Sequence, residues 1–136
     1  MKHGIRQRIA AHPENTATDI DRLSDCIQAL FDCAQSCTLC ADACLVEADI
    51  GQLRACARFS QDCADVCLMA GRLVTRQGHP DWQLLRGALE LAAKACDTCA
   101  SECERHGSQH RHCALCAAAC RSTQAACNAL LAELQS

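Results

Sequence analysis

Fifteen cysteines stand in this 136-residue chain, and their spacing is what could do chemistry. Cys26, Cys33, Cys37, Cys40 and Cys44 form one set, and Cys56, Cys63 and Cys67 a second. Cys96, Cys99 and Cys103 form a third, and Cys113, Cys116, Cys120 and Cys127 a fourth. At about 100° of turn per residue, each set falls within about 60° on an α-helix. No thiol lies off these four stripes. Thiols at i, i+3 and i+4 point the same way along one helix wall, which suits side-by-side ligands better than a dense set of disulfides. The odd count also fits poorly with complete internal pairing.

Thiolates are soft and select Cu(I), Zn(II) or iron–sulfur clusters. Binding requires deprotonation, so a filled interior would hold up to fifteen negative charges in a low-dielectric medium. One Cu(I) per thiolate, with sulfurs bridging neighbouring ions, brings that sum near zero. Zinc at about four thiolates per ion supplies only about half the positive charge needed. Charge and low coordination number both favour many Cu(I) ions per chain.

The alternatives are an iron–sulfur electron carrier and a zinc-thiolate buffer of the metallothionein kind. Cys33-x3-Cys37-x2-Cys40 matches the cluster string of radical enzymes that use S-adenosylmethionine. That string belongs to loops of larger barrels, however, and cluster ligands come in fours. A zinc buffer would have no need of helical register, and no Cys-x-Cys pair occurs here. An inert core of fifteen thiols would be underfilled relative to leucine. Cys103 with His106 could suggest a catalytic pair, but neither an oxyanion device nor an orienting third residue accompanies them. The expectation is that the chain is not an enzyme.

Four helices must carry the stripes. Residues 1–14 read as an N-terminal arm, and 15–136 as a four-helix-bundle metal-storage domain. The first long helix should begin between Asn15 and Thr18, capped by Thr16 or Thr18 with Asp19 or Asp21, and run to about Ala48. The second should end near Arg76 with Gly78 as C-cap and Pro80 beyond it. Asp81 should cap the third, which runs to Arg105 or His106. Gly107 should stop it, and Ser108 should cap a fourth over about 109–134. Short connections between long helices predict an all-α, antiparallel up-down-up-down bundle with a cysteine-lined core.

That topology gathers Cys44, Cys56, Cys103 and Cys113 at one pole, with His106, His110 and His112 close by in sequence. His106 and His112 lie about 50–70° off their stripes and His110 about 90° off. Glu47 falls on the stripe one turn past Cys44. At the other pole the stripe positions turn apolar, at Val74, Leu85, Leu89 and Leu131. The pattern predicts a thiol-lined tube with a histidine mouth and a greasy plug. His3, His12 and His79 read as solvated, and Met69 as core. Ile27 and Leu45 share a second apolar face that should meet a neighbouring helix or another subunit.

Composition narrows the function classes. Two Phe, one Trp and no Tyr leave few bulky core-fillers. A formal charge of −3 with both signs interspersed argues against nucleic acid or a membrane surface as partner. The N-terminal residues hold no apolar run of export-signal length, and no stretch approaches a transmembrane helix. A reducing cytoplasm, where thiols persist, is the expected location.

The full four-stripe pattern resembles the bacterial copper storage proteins, the Csp family, over essentially the whole chain after the arm. The resemblance implies a four-helix bundle that stores many Cu(I) ions along its axis and assembles as a homotetramer. Without a signal peptide the chain resembles the cytosolic branch, in which histidines at the open end help admit or bind copper. By that resemblance His106 and His112 are the implied mouth ligands, with His110 a further candidate. Copper ions and a copper chaperone or efflux partner are the expected partners.

Overall fold

The computed structural model describes residues 2–14 and 19–134. Among them the chain is all-helical: α1 (Lys2–Ala10), α2 (Ile20–Leu45), α3 (Ile50–Thr75), α4 (Trp82–Glu104) and α5 (Arg111–Leu134). α2 packs on α3 and α5, α4 packs on the same two helices, and α1 lies against α2.

The helix starts follow side-chain chemistry. The Asp19 carboxylate accepts from the backbone N–H groups of Asp21 and Arg22, and Asp81 accepts from Leu84. Each satisfies donors that the first turn leaves without intrahelical partners. Asp81 is the cap expected from sequence. Thr16 and Thr18, expected to cap the first long helix, lie outside the described residues, and Asp19 does the capping.

Three boundaries and one cap differ from expectation. α2 stops at Leu45, short of Ala48, and Val46–Asp49 form a turn that carries Glu47 and Asp49. α3 ends at Thr75 with Arg76 as its C-cap, as expected, but Gly78 plays no capping part. The buried Gln77 side chain donates to the Val74 carbonyl instead, and His79 takes the left-handed conformation at φ 48°. Ser108 sits inside a turn over 105–109, and the N–H groups of Cys113 and Ala114 bond the His110 carbonyl. The segment read as an arm is helical in α1. Ile9 is buried against the core, and Arg6 pairs with Asp21 at 2.7 Å, so the segment has both apolar and charged reasons to dock.

The interior divides along its length. Thiols and alanines fill the middle, while Leu23, Ile27, Leu30, Val74, Leu85, Leu89, Leu130 and Leu131 crowd one end. Small residues let the helices approach closely. An added Cβ on Gly71 would stand 3.0–3.2 Å from the Phe31 ring. Thr123, buried in α5, donates to the Ala119 carbonyl at 2.8 Å and lies 3.1 Å from the Ala29 carbonyl of α2. Ile27 is fully buried, whereas Leu45, placed on the same face by phase, is 56% exposed because the helix ends there.

Candidate metal centre

All fifteen thiols are free, and none is more than 1% exposed. The stripes converge on one column. Cys26 faces Cys127 at 4.0 Å, Cys33 faces Cys120 at 3.8 Å, and Cys37 faces Cys116 at 3.7 Å. Cys56 lies 3.2 Å from Cys103, and Cys96 lies 3.8 and 3.7 Å from Cys63 and Cys67. Such separations are those of sulfurs that could share a bound ion.

Groups of ligand atoms lie within 4.8 Å of one another: Cys33, Cys63, Cys67 and Cys96; Cys33, Cys37, Cys63 and Cys120; Cys37, Cys99, Cys116 and Cys120. Nearer the mouth, Cys40 joins Cys103 and Cys116, and also Cys44, His112 and Cys113. Successive groups share members. The column therefore suits ions bridged by common sulfurs rather than separate four-ligand sites.

Protonation follows from crowding. Burial pushes the Cys44 thiol up to about 12 and raises Cys113 as well. Hydrogen bonds from neighbouring thiols, Cys120 foremost, bring Cys63 down to about 6. A buried thiolate here is sustained by the S–H donors around it, so a soft cation can replace those protons.

The three mouth histidines occupy different environments. His112 reaches the column: its Nδ1 is 3.4 Å from Cys40 Sγ and 3.7 Å from Cys113 Sγ. Its Nε2 lies 2.8 Å from Glu47 Oε2. His110 stands between two carboxylates, Nδ1 at 2.9 Å from Glu47 Oε2 and Nε2 at 2.9 Å from Asp49 Oδ2. Asp49, then Glu47, raise the His110 pKa, as expected when both ring nitrogens face carboxylates. For His112, burial opposes the charge, but Cys40 and Glu47 outweigh it and the net direction is up. His106 lies 2.9 Å from Glu102, one turn earlier on the chain. Of the three, His112 is the one placed against thiols.

Ser60 was missed from sequence. It is fully buried, with Oγ 3.5 Å from Cys99 Sγ and 3.9 Å from both Cys103 and Cys116. The signal was present: Cys56, Ser60, Cys63 and Cys67 repeat the spacing of Cys33, Cys37, Cys40 and Cys44. A hydroxyl occupies the place of a sixteenth thiol. Asp49 and Glu102 were also missed as partners of the histidines; only the i/i+4 spacing of Glu102 and His106 offered a hint.

At the far end Val74, Leu85, Leu89 and Leu131 are all buried. Val74, Leu85 and Leu89, with Leu23, Gln77, Trp82, Leu130 and Leu134, line a space of about 10 Å³, at the lower limit for one water. His79 is exposed as expected. His12 is half-buried, its Nδ1 accepting from the Glu14 N–H, and the His3 side chain lies outside the described residues. Met69 packs, partly buried, against the core.

The family model described as copper storage protein matches residues 19–132. The structure of the copper storage protein Ccsp from Streptomyces lividans, loaded with 10 copper equivalents, is 39% identical. That match covers 94% of this chain and 98% of the other, with a TM-score of 0.92. A cytosolic copper storage protein from the same organism, solved with five coppers, is 43% identical across 82% of this chain and 93% of its own, with a TM-score of 0.81. The uncharacterized cysteine-rich protein YhjQ of Bacillus subtilis is 33% identical over 107 residues, 79% of this chain and 94% of that one.

Proposed function

The chain belongs to the copper storage protein family, and from that premise we propose that it holds many copper ions, as Cu(I), on the thiolates of its interior. The observation that carries the proposal is the column itself: fifteen unpaired thiols, at most 1% exposed, in groups that share members. Soft donors select Cu(I), and one monovalent ion per thiolate neutralises the buried charge. All fifteen cysteines are the proposed ligands. His112 joins them at the mouth, while His106 and His110 act there through Glu102, Glu47 and Asp49.

The reading of the fold is an antiparallel up-down-up-down four-helix bundle made by α2 to α5. The pairing of Cys26 with Cys127, Cys33 with Cys120 and Cys37 with Cys116 supports it, because numbers fall along α5 as they rise along α2. In this reading residues 15–136 form the storage unit and 1–14 an appended segment. Copper reaches the column at the histidine mouth, because the opposite end is filled by leucines. A copper chaperone or efflux partner would exchange ions at the same mouth.

The proposed role is storage rather than catalysis, in the cytoplasm, as a homotetramer. A relative described as cytosolic supports the location. No helix among the described residues is long and apolar enough to cross a membrane. Exposed Leu39, Leu68 and Leu115 offer apolar surface for contacts between copies.

The test is an anaerobic Cu(I) titration of the reduced apoprotein against a competing chelator, with Zn(II) in parallel. Uptake of roughly one or more Cu(I) per thiol, with no visible colour, is the expected result. Saturation after one or two ions, a preference for zinc, or a brown iron–sulfur chromophore would overturn the proposal.

A further inference from the structure

We propose that Glu47, His110 and His112 form a second metal site at the mouth, one that takes a divalent cation such as Zn(II) rather than Cu(I). The inference rests on the mouth reading above and adds a different class of ion to it.

Three donor atoms of two chemical types meet there. Glu47 Oε2 lies 2.9 Å from His110 Nδ1 and 2.8 Å from His112 Nε2. A tetrahedral ion with N and O ligands at about 2.0–2.2 Å separates its donors by about 3.4 Å. A relaxation of about half an ångström in each carboxylate–imidazole separation, with loss of the bridging protons, brings those two pairs to that spacing. The two rings are tilted by 41° with centroids 5.6 Å apart, so they are not stacked flat against each other.

The outer nitrogens of the cluster are already positioned. His110 Nε2 faces Asp49 Oδ2 at 2.9 Å, and His112 Nδ1 faces Cys40 Sγ at 3.4 Å. A partner on the second ring nitrogen is what fixes the tautomer and orientation of a metal-binding imidazole. Charge agrees with a 2+ ion, since Glu47 and Asp49 together supply two negative charges. A monovalent ion would leave one uncompensated. Imidazole and carboxylate donors also suit Zn(II) better than Cu(I), whose thiolates begin on the inner side of His112.

Access differs from that of the column. The side chains of His110, His112, Glu47 and Asp49 are 12%, 25%, 31% and 35% exposed, so solvent can complete the coordination without any opening of the core. Glu47 and Asp49 come from the turn after α2, and the histidines from the chain entering α5. An ion here clips two connections together and sits outside the imidazole that contacts the thiols. Bound Zn(II) therefore slows Cu(I) uptake.

The experiment is a Co(II) titration to saturation of the reduced apoprotein and of Glu47→Gln and Asp49→Asn, full chain in each case. Cobalt bound to thiols is common to all three and cancels in the difference. The expected result is one additional equivalent in the wild type over Glu47→Gln, whose difference spectrum lacks sulfur-to-cobalt charge transfer. Asp49→Asn should weaken that equivalent about 10–100-fold. Zn(II) pretreatment should slow initial Cu(I) uptake more in the wild type than in Glu47→Gln, the part due to zinc on thiols being common to both. Equal cobalt stoichiometry in wild type and Glu47→Gln, or a difference spectrum with sulfur charge transfer, overturns the site. Equal zinc inhibition of both overturns the control of uptake. Failure of the wild type to take up Cu(I) would instead overturn the storage reading and leave the cobalt result standing.

Discussion

The Nδ1 atom of His112 lies 3.4 Å from the Sγ atom of Cys40, which puts this partly exposed ring against the buried thiol column. Its other nitrogen is held by Glu47 at 2.8 Å. One imidazole thus has a carboxylate outside and a thiol inside, an arrangement suited to passing a soft ion inward.

The histidines should therefore not be equivalent. His112→Ala is expected to slow Cu(I) loading more than His106→Ala, while each variant keeps most of its capacity. Stopped-flow uptake with an endpoint titration measures both. A collapse of capacity in His112→Ala would move the histidine from the mouth into the store.

Ser60 fills a thiol position with a hydroxyl, so Ser60→Cys should raise Cu(I) capacity by about one ion per chain. Side-chain volume changes little, and folding should be retained. Anaerobic titration reads the difference. Unchanged capacity would mean that Cys99, Cys103 and Cys116 already satisfy the ions nearby.

At the plugged end, Leu85→Ala with Leu131→Ala removes two buried side chains. Each truncation should cost about 2–5 kcal/mol of stability. If the fold survives, copper removal by a chelator should change in rate. Uptake and removal both unchanged in a folded variant would show that the poles are assigned wrongly.

The clip formed by His110 with Glu47 and Asp49 should make apoprotein stability depend on pH. His110 has a raised pKa, so its contribution is fully present below about pH 6.5, the unfolded value, and is lost as pH rises through the higher folded value. The difference in Tm between wild type and His110→Gln, without metal, should shrink from about pH 6 to about pH 9. A constant difference would mean the ring acts by packing alone.

Gly71→Ala should destabilise by about 1–3 kcal/mol, because the new Cβ meets the Phe31 ring at 3.0–3.2 Å where α3 crosses α2. Denaturant unfolding measures this. A neutral result would show that Phe31, which is only partly buried, swings aside.

Much of the site was legible in the sequence because helical periodicity is a local property. Cys33 and Cys37 must share a helix face whatever packs against them, and so must Cys116 and Cys120. Gly78 and Ser108 misled because glycine and serine signal ends in general, whereas here Gln77 and the His110 carbonyl satisfy those backbone groups. The helix in residues 2–10 was hidden because its apolar content is slight, and Ile9 gains burial only once the core end is built.

By itself the sequence determined the all-helical class, the thiol stripes and their softness as metal donors, since each depends on residue type and spacing along one helix. Only the tertiary structure decided which thiols share a ligand group, that Ser60 stands among them, and that His112 rather than His106 touches sulfur. Between helices, those relations join residues 29 to 87 positions apart. Their distances depend on helix ends and crossing positions, which a shift of three residues at Leu45 is enough to change. The turn released by that early end carries Glu47 and Asp49 to His110 and His112, and packing between helices sets where it falls.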